Sequence, residues 1–219
     1  HVTQNDGRDW KEVTRSIRGV PEGLWISRVR ASHHDLATAF ITIDGHRSDN
    51  FNPYVFMTTD FGQTWTSISG NLPEGHSVYV ITEDPVNPNL LFAGTEFAAF
   101  ASIDGGREWH RIMNGLPTVA VHDLVIHPRD GDLVAGTHGR SIWIMDDITP
   151  LQQISDEVLT SDAHLFRPKP ATIWRGISRG AERGHLHFRG RNPLTIAHRP
   201  PANSPPELQN SAFLTFYLK

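Results

Sequence analysis

The chain has 219 residues, 38% of them hydrophobic and 20% charged, with a formal net charge of −4 and 13 histidines that make the charge sensitive to mild acid. That balance describes an ordinary globular polypeptide. No Lys/Arg stripe speaks for a nucleic-acid partner, no apolar run suits a membrane span, and the absence of cysteine excludes disulfides and thiolate metal sites.

In chain order, the first distinctive stretch is TQNDGRDW (3–10), followed by GVPEG (19–23) and two strand-like runs, LWISRVRAS (24–32) and LATAFITIDG (36–45). A polar segment, DGHRSDNFNP (44–53), leads to a third run, PYVFMTTD (53–60), and to TTDFGQTW (58–65). The order then repeats as GNLPEG (70–75), SVYVITEDP (77–85), LLFAGTEF (90–97), FAAFASID (97–104) and SIDGGREW (102–109). It begins again with NGLPTV (114–119), AVHDLVIHP (120–128), DLVAGTHGR (132–140) and SIWIMDD (141–147). Trp65 and Trp109 lie 44 residues apart, whereas Trp10 and Trp65 lie 55 apart. The excess of 11 falls in 44–53, where the later units have only GTEF and GTHGR.

Three apolar runs plus a fourth segment after each tryptophan predict units of four short strands. Helical periodicity appears nowhere over a useful length. A period of this size with four strands is that of a β-propeller blade, so the expected fold is all-β, part of a propeller with about three blades over 1–154. In the last unit MDDITPLQQI (145–154) has neither the glycine nor the tryptophan, which marks the end of the array.

The repeated pattern is [Ser/Thr]-x-Asp-x-Gly-x-x-Trp, with Asn5 standing for the aspartate in the first copy. Physically, Asp60 and Asp104 should accept hydrogen bonds from backbone N–H groups of their own turns, and Gly62 and Gly106 should supply positive φ. Trp65 and Trp109 should pack between blades, and Asn5 and Trp10 belong to the same structural set. A calcium loop is disfavoured, because a hard cation wants about six to eight oxygens and the turn offers one carboxylate. These copies resemble Asp-box (BNR) repeats, and the wider text, GHRSDNFNPYVF and LPTVAVHDLVIHPRDGDLVAGTHGRSIWIMDD, resembles sortilin-like BNR propellers of large secreted bacterial proteins. The resemblance implies an extracellular, periplasmic or cell-surface location.

Three units cannot close a ring of about 4–8 blades. The chain is therefore expected to be an internal or C-terminal piece of a longer protein, with the remaining blades of that parent as partners, and on its own to associate through open edges. Beyond 154 the texture changes: residues 156–219 hold nine Lys/Arg against five Asp/Glu, and prolines interrupt short apolar pieces. Strands are expected within HLFRPKPATIW (164–174) and SAFLTFYLK (211–219), and a loop over 192–206. The resemblance implies that 155–219 is a linker and the start of a β-sandwich-like region.

Function should lie on the propeller face shared by the second-to-third-strand loops and the starts of the innermost strands, since the repeated turns occupy the opposite face. The loops contribute Asp44, His46, Arg47 and Asp49 from the insertion, Glu96 from GTEF, and His138 and Arg140 from GTHGR. The inner strands contribute Trp25, Arg28, His122 and Asp123. A binding module would grip a peptide, protein or glycan with the Trp25, Arg28, His46, Arg47, Glu96, His122, His138 and Arg140 groups. A glycoside hydrolase would instead need a carboxylate pair, roughly 6–9 Å apart for inversion or about 5 Å for retention, drawn from Asp44, Asp49, Glu96 and Asp123. A sialidase-like variant would need an arginine cluster, Arg28, Arg47 and Arg140, with a tyrosine nucleophile, for which Tyr54 is the residue near the loop. No two histidines have ligand spacing within one element, so a site of His46, His122, His138, Asp123 and Glu96 would require convergence from several blades; no metal or cofactor is expected.

Overall fold

The computed structural model describes residues 1–169 and 214–219, which form two compact units, His1–Met145 and Asp146–Lys219. The expected loop at 192–206 lies outside the described residues.

The first unit is a set of antiparallel sheets, each a meander. The first sheet runs β1 (Trp25–Ala31), β2 (Ala39–Gly45), β3 (Asn50–Thr58) and β4 (Thr66–Ser67). The second repeats it with β5 (Val78–Glu83), β6 (Leu91–Thr95), β7 (Ala99–Ser102) and β8 (His110–Ile112). The third holds β9 (Val121–Ile126), β10 (Leu133–Thr137) and β11 (Ile142–Met145), and is three-stranded. The innermost strands β1, β5 and β9 neighbour one another in that order, as blade inner strands do. Their registers agree: Arg28 faces Thr42, Val80 faces Gly94 and Asp123 faces Gly136, each beside a bulge. Arg28, Val80 and Asp123 are therefore one repeat position, and Ser27, Tyr79 and His122 are the position before it.

The repeated turn forms three times with the same hydrogen bonds. Asp60 Oδ1 accepts from Thr64 N at 2.9 Å, Asp104 Oδ1 from Glu108 N at 3.0 Å, and Asn5 Oδ1 from Asp9 N at 2.9 Å. The Ser/Thr two residues earlier accepts from the glycine N–H, at 2.9 Å for Thr58, 2.8 Å for Ser102 and 2.9 Å for Thr3. An amide oxygen accepts as a carboxylate oxygen does, which is why Asn5 suffices. Gly62 and Gly106 have φ of +78° and +91°, and a Cβ on them would stand 2.9 Å from Val13 and 2.8 Å from Ile68. These positions require glycine both for backbone conformation and because the turn presses against the preceding segment of the repeat.

Trp109 shows what the turn is for. It is 3% exposed, its indole N–H donates to Ile68 O at 2.9 Å, and it packs with Phe40, Val55, Ile68 and Leu72 of the first sheet as well as with Val78, Ile81, Leu91 and Phe100 of its own. Each such buried side chain contributes roughly 1.5–3 kcal/mol through removal from water. Trp65 packs against the cluster of Ile41, Ile43 and Phe56 together with Ile17, Val20 and Leu24. Trp10 makes the local turn but stands 61% exposed, having no earlier sheet among the described residues to pack on. A polar tie reinforces the first two sheets: buried Glu83 accepts Ser32 Oγ at 2.9 Å and His33 N at 2.6 Å.

The third sheet has no fourth strand because MDDITPLQQI has other local instructions. Asp147, just before the N-cap Ile148, accepts the Thr149 hydroxyl at 2.5 Å and its N–H at 3.2 Å, and Pro150 suits a first helical turn, so the chain enters α1 (Thr149–Gln152). The compact unit accordingly closes at Met145, short of the expected boundary at 154.

In the second unit α1 is followed by α2 (Asp156–Thr160), whose N-cap Ser155 accepts from Val158 N at 3.3 Å. Strands β12 (Ala163–Leu165) and β13 (Phe216–Leu218) pair antiparallel, His164 facing Tyr217. β13 lies inside the expected 211–219 stretch, whereas β12 overlaps the start of the expected 164–174 stretch only at His164 and Leu165 and is not continued over 166–169; the remainder, 170–174, lies outside the described residues. No helix among the described residues is long and apolar enough to cross a membrane.

Candidate functional site

A polar cleft of about 760 Å³ opens on the face carrying the starts of β1, β5 and β9 and the loops β2–β3, β6–β7 and β10–β11. Bulges at the starts of the inner strands turn successive side chains towards it. Trp25 and Arg28 enter from β1, His122 from β9, and Asp44, His46 and Arg47 from the end of β2 and the 3-10 turn His46–Ser48. Glu96 and His138 come from the two later loops.

Not every expected residue is there. Asp49 lies outside the cleft lining: it ends the 3-10 turn with φ +58° and is exposed. Arg140 also lies outside it, exposed, with its carbonyl accepting Trp143 Nε1 at 2.8 Å. Asp123 is not part of the lining; it accepts from Arg28 at 3.0 Å and has Arg30 at 3.9 Å. Tyr54 faces another way; its hydroxyl accepts from Asn50 Nδ2 at 3.0 Å and its ring joins the Ile41 cluster. The arginine cluster anticipated for a sialidase-like site is thus split, Arg28 and Arg47 within the cleft and Arg140 outside it.

The residue missing from the sequence reading is Tyr79. Its ring stacks on His122 with centroids 4.4 Å apart and 15° between planes, and it meets His46 edge-on at 6.3 Å. His122 in turn lies 5.4 Å from His138, so four rings run across all three sheets. Tyr79 donates its hydroxyl hydrogen bond to Glu96. Burial, reinforced by the hydrogen bond to Glu96 and the charges of Glu96 and Asp44, pushes the phenol well above its ordinary value, so it stays a donor. This bond from Tyr79 to Glu96 stays within one sheet and its loop. Tyr79 hid because SVYVITEDP reads as a plain alternating strand; its equivalence to His122 in the repeat was the signal available.

The carboxylates of Asp44, Glu96 and Asp123 are all engaged. Asp44 Oδ2 pairs with His46 Nδ1 at 2.6 Å while its Oδ1 accepts His46 N at 3.0 Å. Glu96 accepts from Tyr79, and Asp123 from Arg28. By contrast, among the described residues no partner holds the exposed Arg47 guanidinium, and the His122 and His138 rings make no hydrogen bond. Trp25 is 70% exposed at the cleft edge. Among the described residues no three His, Asp or Glu side chains are grouped so as to hold a metal ion. The unfilled capacity of the cleft therefore consists of donors, a cation and flat rings.

No protein-family model and no curated protein matches the chain. Among solved structures, the chain is similar to the GH74 xyloglucanase from Xanthomonas campestris, at 20% identity over 70% of this chain and 24% of that one, with a TM-score of 0.51. It is also similar to the Niastella koreensis GH74 enzyme, at 18% identity over 56% and 21% of the two chains, with a TM-score of 0.45. A third similarity is to YCF48 bound to D1 peptide, at 20% identity over 56% and 36%, with a TM-score of 0.39. The chain spans between 14 and 24% of the GH74 enzymes it matches. At this identity the likeness carries fold alone: the first unit is part of a β-propeller.

Proposed function

We propose that the chain is a non-catalytic recognition module of a larger exported protein, a sortilin-like propeller of BNR/Asp-box repeats that binds a peptide, protein or glycan in this cleft. The thrice-repeated Asp/Asn turn supports the repeat type. The observation that carries the binding reading is the division of labour in the cleft: its carboxylates are bonded to protein donors, whereas Arg47, His122, His138 and Trp25 are left to meet a ligand. The parent protein's other blades, and a location outside the cytoplasm, belong to the same proposal.

A glycoside hydrolase is the second reading, favoured by Asp44 and Glu96 lining one cleft. The deciding experiment assays the full-length parent protein against polysaccharides, sialosides and peptides, reading released ends alongside retained ligand. Retention without release, weakened by Arg47→Gln, supports recognition. Release abolished by Asp44→Asn or Glu96→Gln, with the melting temperature nearly unchanged, replaces it with hydrolysis.

A further inference from the structure

Resting on the recognition reading, the chemistry of the cleft narrows the ligand. Arg47 offers a guanidinium fork with no acceptor among the described residues, and this fork matches a carboxylate in two parallel hydrogen bonds. Arg28, which lines the same cleft, and Arg30 share the single carboxylate of Asp123, at 3.0 and 3.9 Å, and the Nε of each is buried without a partner among the described residues. Trp25, 70% exposed, presents an indole at the cleft edge, the amphipathic kind of surface on which the C–H face of a sugar ring packs. His122 and His138 add ring nitrogens for hydroxyl groups.

An extended peptide is less well served. It would pair with the inner-strand backbone, yet Val78 O already accepts Ser27 Oγ at 3.0 Å and His122 O accepts Arg28 at 3.0 Å. With a side chain already seated on each of those carbonyls, the open contacts among the described residues are a flat ring, a cation and isolated donors, which suit hydroxyls and a carboxylate on a ring.

We propose that the cleft takes a carboxylated oligosaccharide, one of uronate type, with Arg47 on the carboxylate and Trp25 under the sugar ring.

The test uses the full-length parent protein and calorimetric titration with a galacturonate oligomer, its fully methyl-esterified form and an oligoglutamate peptide. The uronate oligomer should bind, and the ester should bind about tenfold or more weakly, because a charge-assisted pair is lost. Arg47→Gln should abolish that preference while Arg47→Lys keeps part of it; Trp25→Ala should weaken the acid and the ester alike. Arg129→Gln, on the far turn, controls for general charge, and unchanged melting temperatures show that the variants fold. Equal affinity for acid and ester overturns this inference and leaves the recognition reading standing, as does binding of oligoglutamate alone or of none of the three probes. Release of reducing ends from either oligomer overturns the recognition reading and this inference with it.

Discussion

The second and third sheets are built on one repeat, yet they bury their equivalent positions differently. Thr82, Phe92 and Ala101 lie side by side across β5, β6 and β7 and are 8, 0 and 4% exposed. Their counterparts on β9, β10 and β11 are Val125, Val134 and Ile144, a more apolar set, of which Val125 is 49% and Ile144 58% exposed. The middle sheet has a neighbour against that face and the third has none among the described residues of its unit. Burial in this fold is therefore conferred by the adjacent sheet, and side-chain hydrophobicity records only what the position is prepared for.

The largest effect should separate those two faces. Phe92→Ala is expected to cost about 3–5 kcal/mol, from lost transfer energy plus a cavity, whereas Ile144→Ala should stay within about 0.5 kcal/mol. Denaturant unfolding of the chain decides this, and similar losses at both sites would break the comparison. The two tryptophans of the repeated turn sharpen it further: Trp109→Ala should again cost about 3–5 kcal/mol and Trp10→Ala about 0.5 kcal/mol or less. A Trp109 variant that melted normally but had lost ligand would instead make the turn functional.

A smaller loss, about 1–3 kcal/mol, is expected for Ser32→Ala, which removes a hydrogen-bond donor from buried Glu83 between the first two sheets. Thermal unfolding should show it, with Ser48→Ala, on an exposed turn, unaffected. The smallest effect is confined to acid. Hydrogen bonds from the Thr64 side chain and backbone hold Asp60 at about 2, below the 3.8 of a free aspartate. Because the folded value is depressed, the stability it contributes is fully present above about pH 4 and is lost as pH falls towards 2. Asp60→Asn keeps the turn, as Asn5 does, and should flatten the stability curve across that window. An unchanged acid slope would remove Asp60 from the account.

Much of this was legible in the sequence because it is local or periodic. The turn hydrogen bonds at Asn5, Asp60 and Asp104 reach four residues at most, and the meander order of the strands recurs with the repeat, so both reappear in the structure. Seven candidate ligand-binding residues, Trp25, Arg28, His46, Arg47, Glu96, His122 and His138, reach one cleft because the repeat brings the same loop to the same face each time. Arg140 and Asp49 each missed it by two residues along their loops, where a single dihedral change redirects a side chain. Tyr79 was invisible because an aromatic residue in an alternating run reads as core.

The sequence by itself determined the repeat, the all-β class, the three self-bonded turns and the face on which polar groups gather. These depend on contacts within one unit and recur with its period. The tertiary structure alone decided the partners: Glu96 to Tyr79, Asp123 to Arg28 some 95 residues earlier, and the burial of Trp109 against the exposure of Trp10. Those outcomes require one sheet to lie against the next, and no local pattern states how close two side chains from different sheets will come.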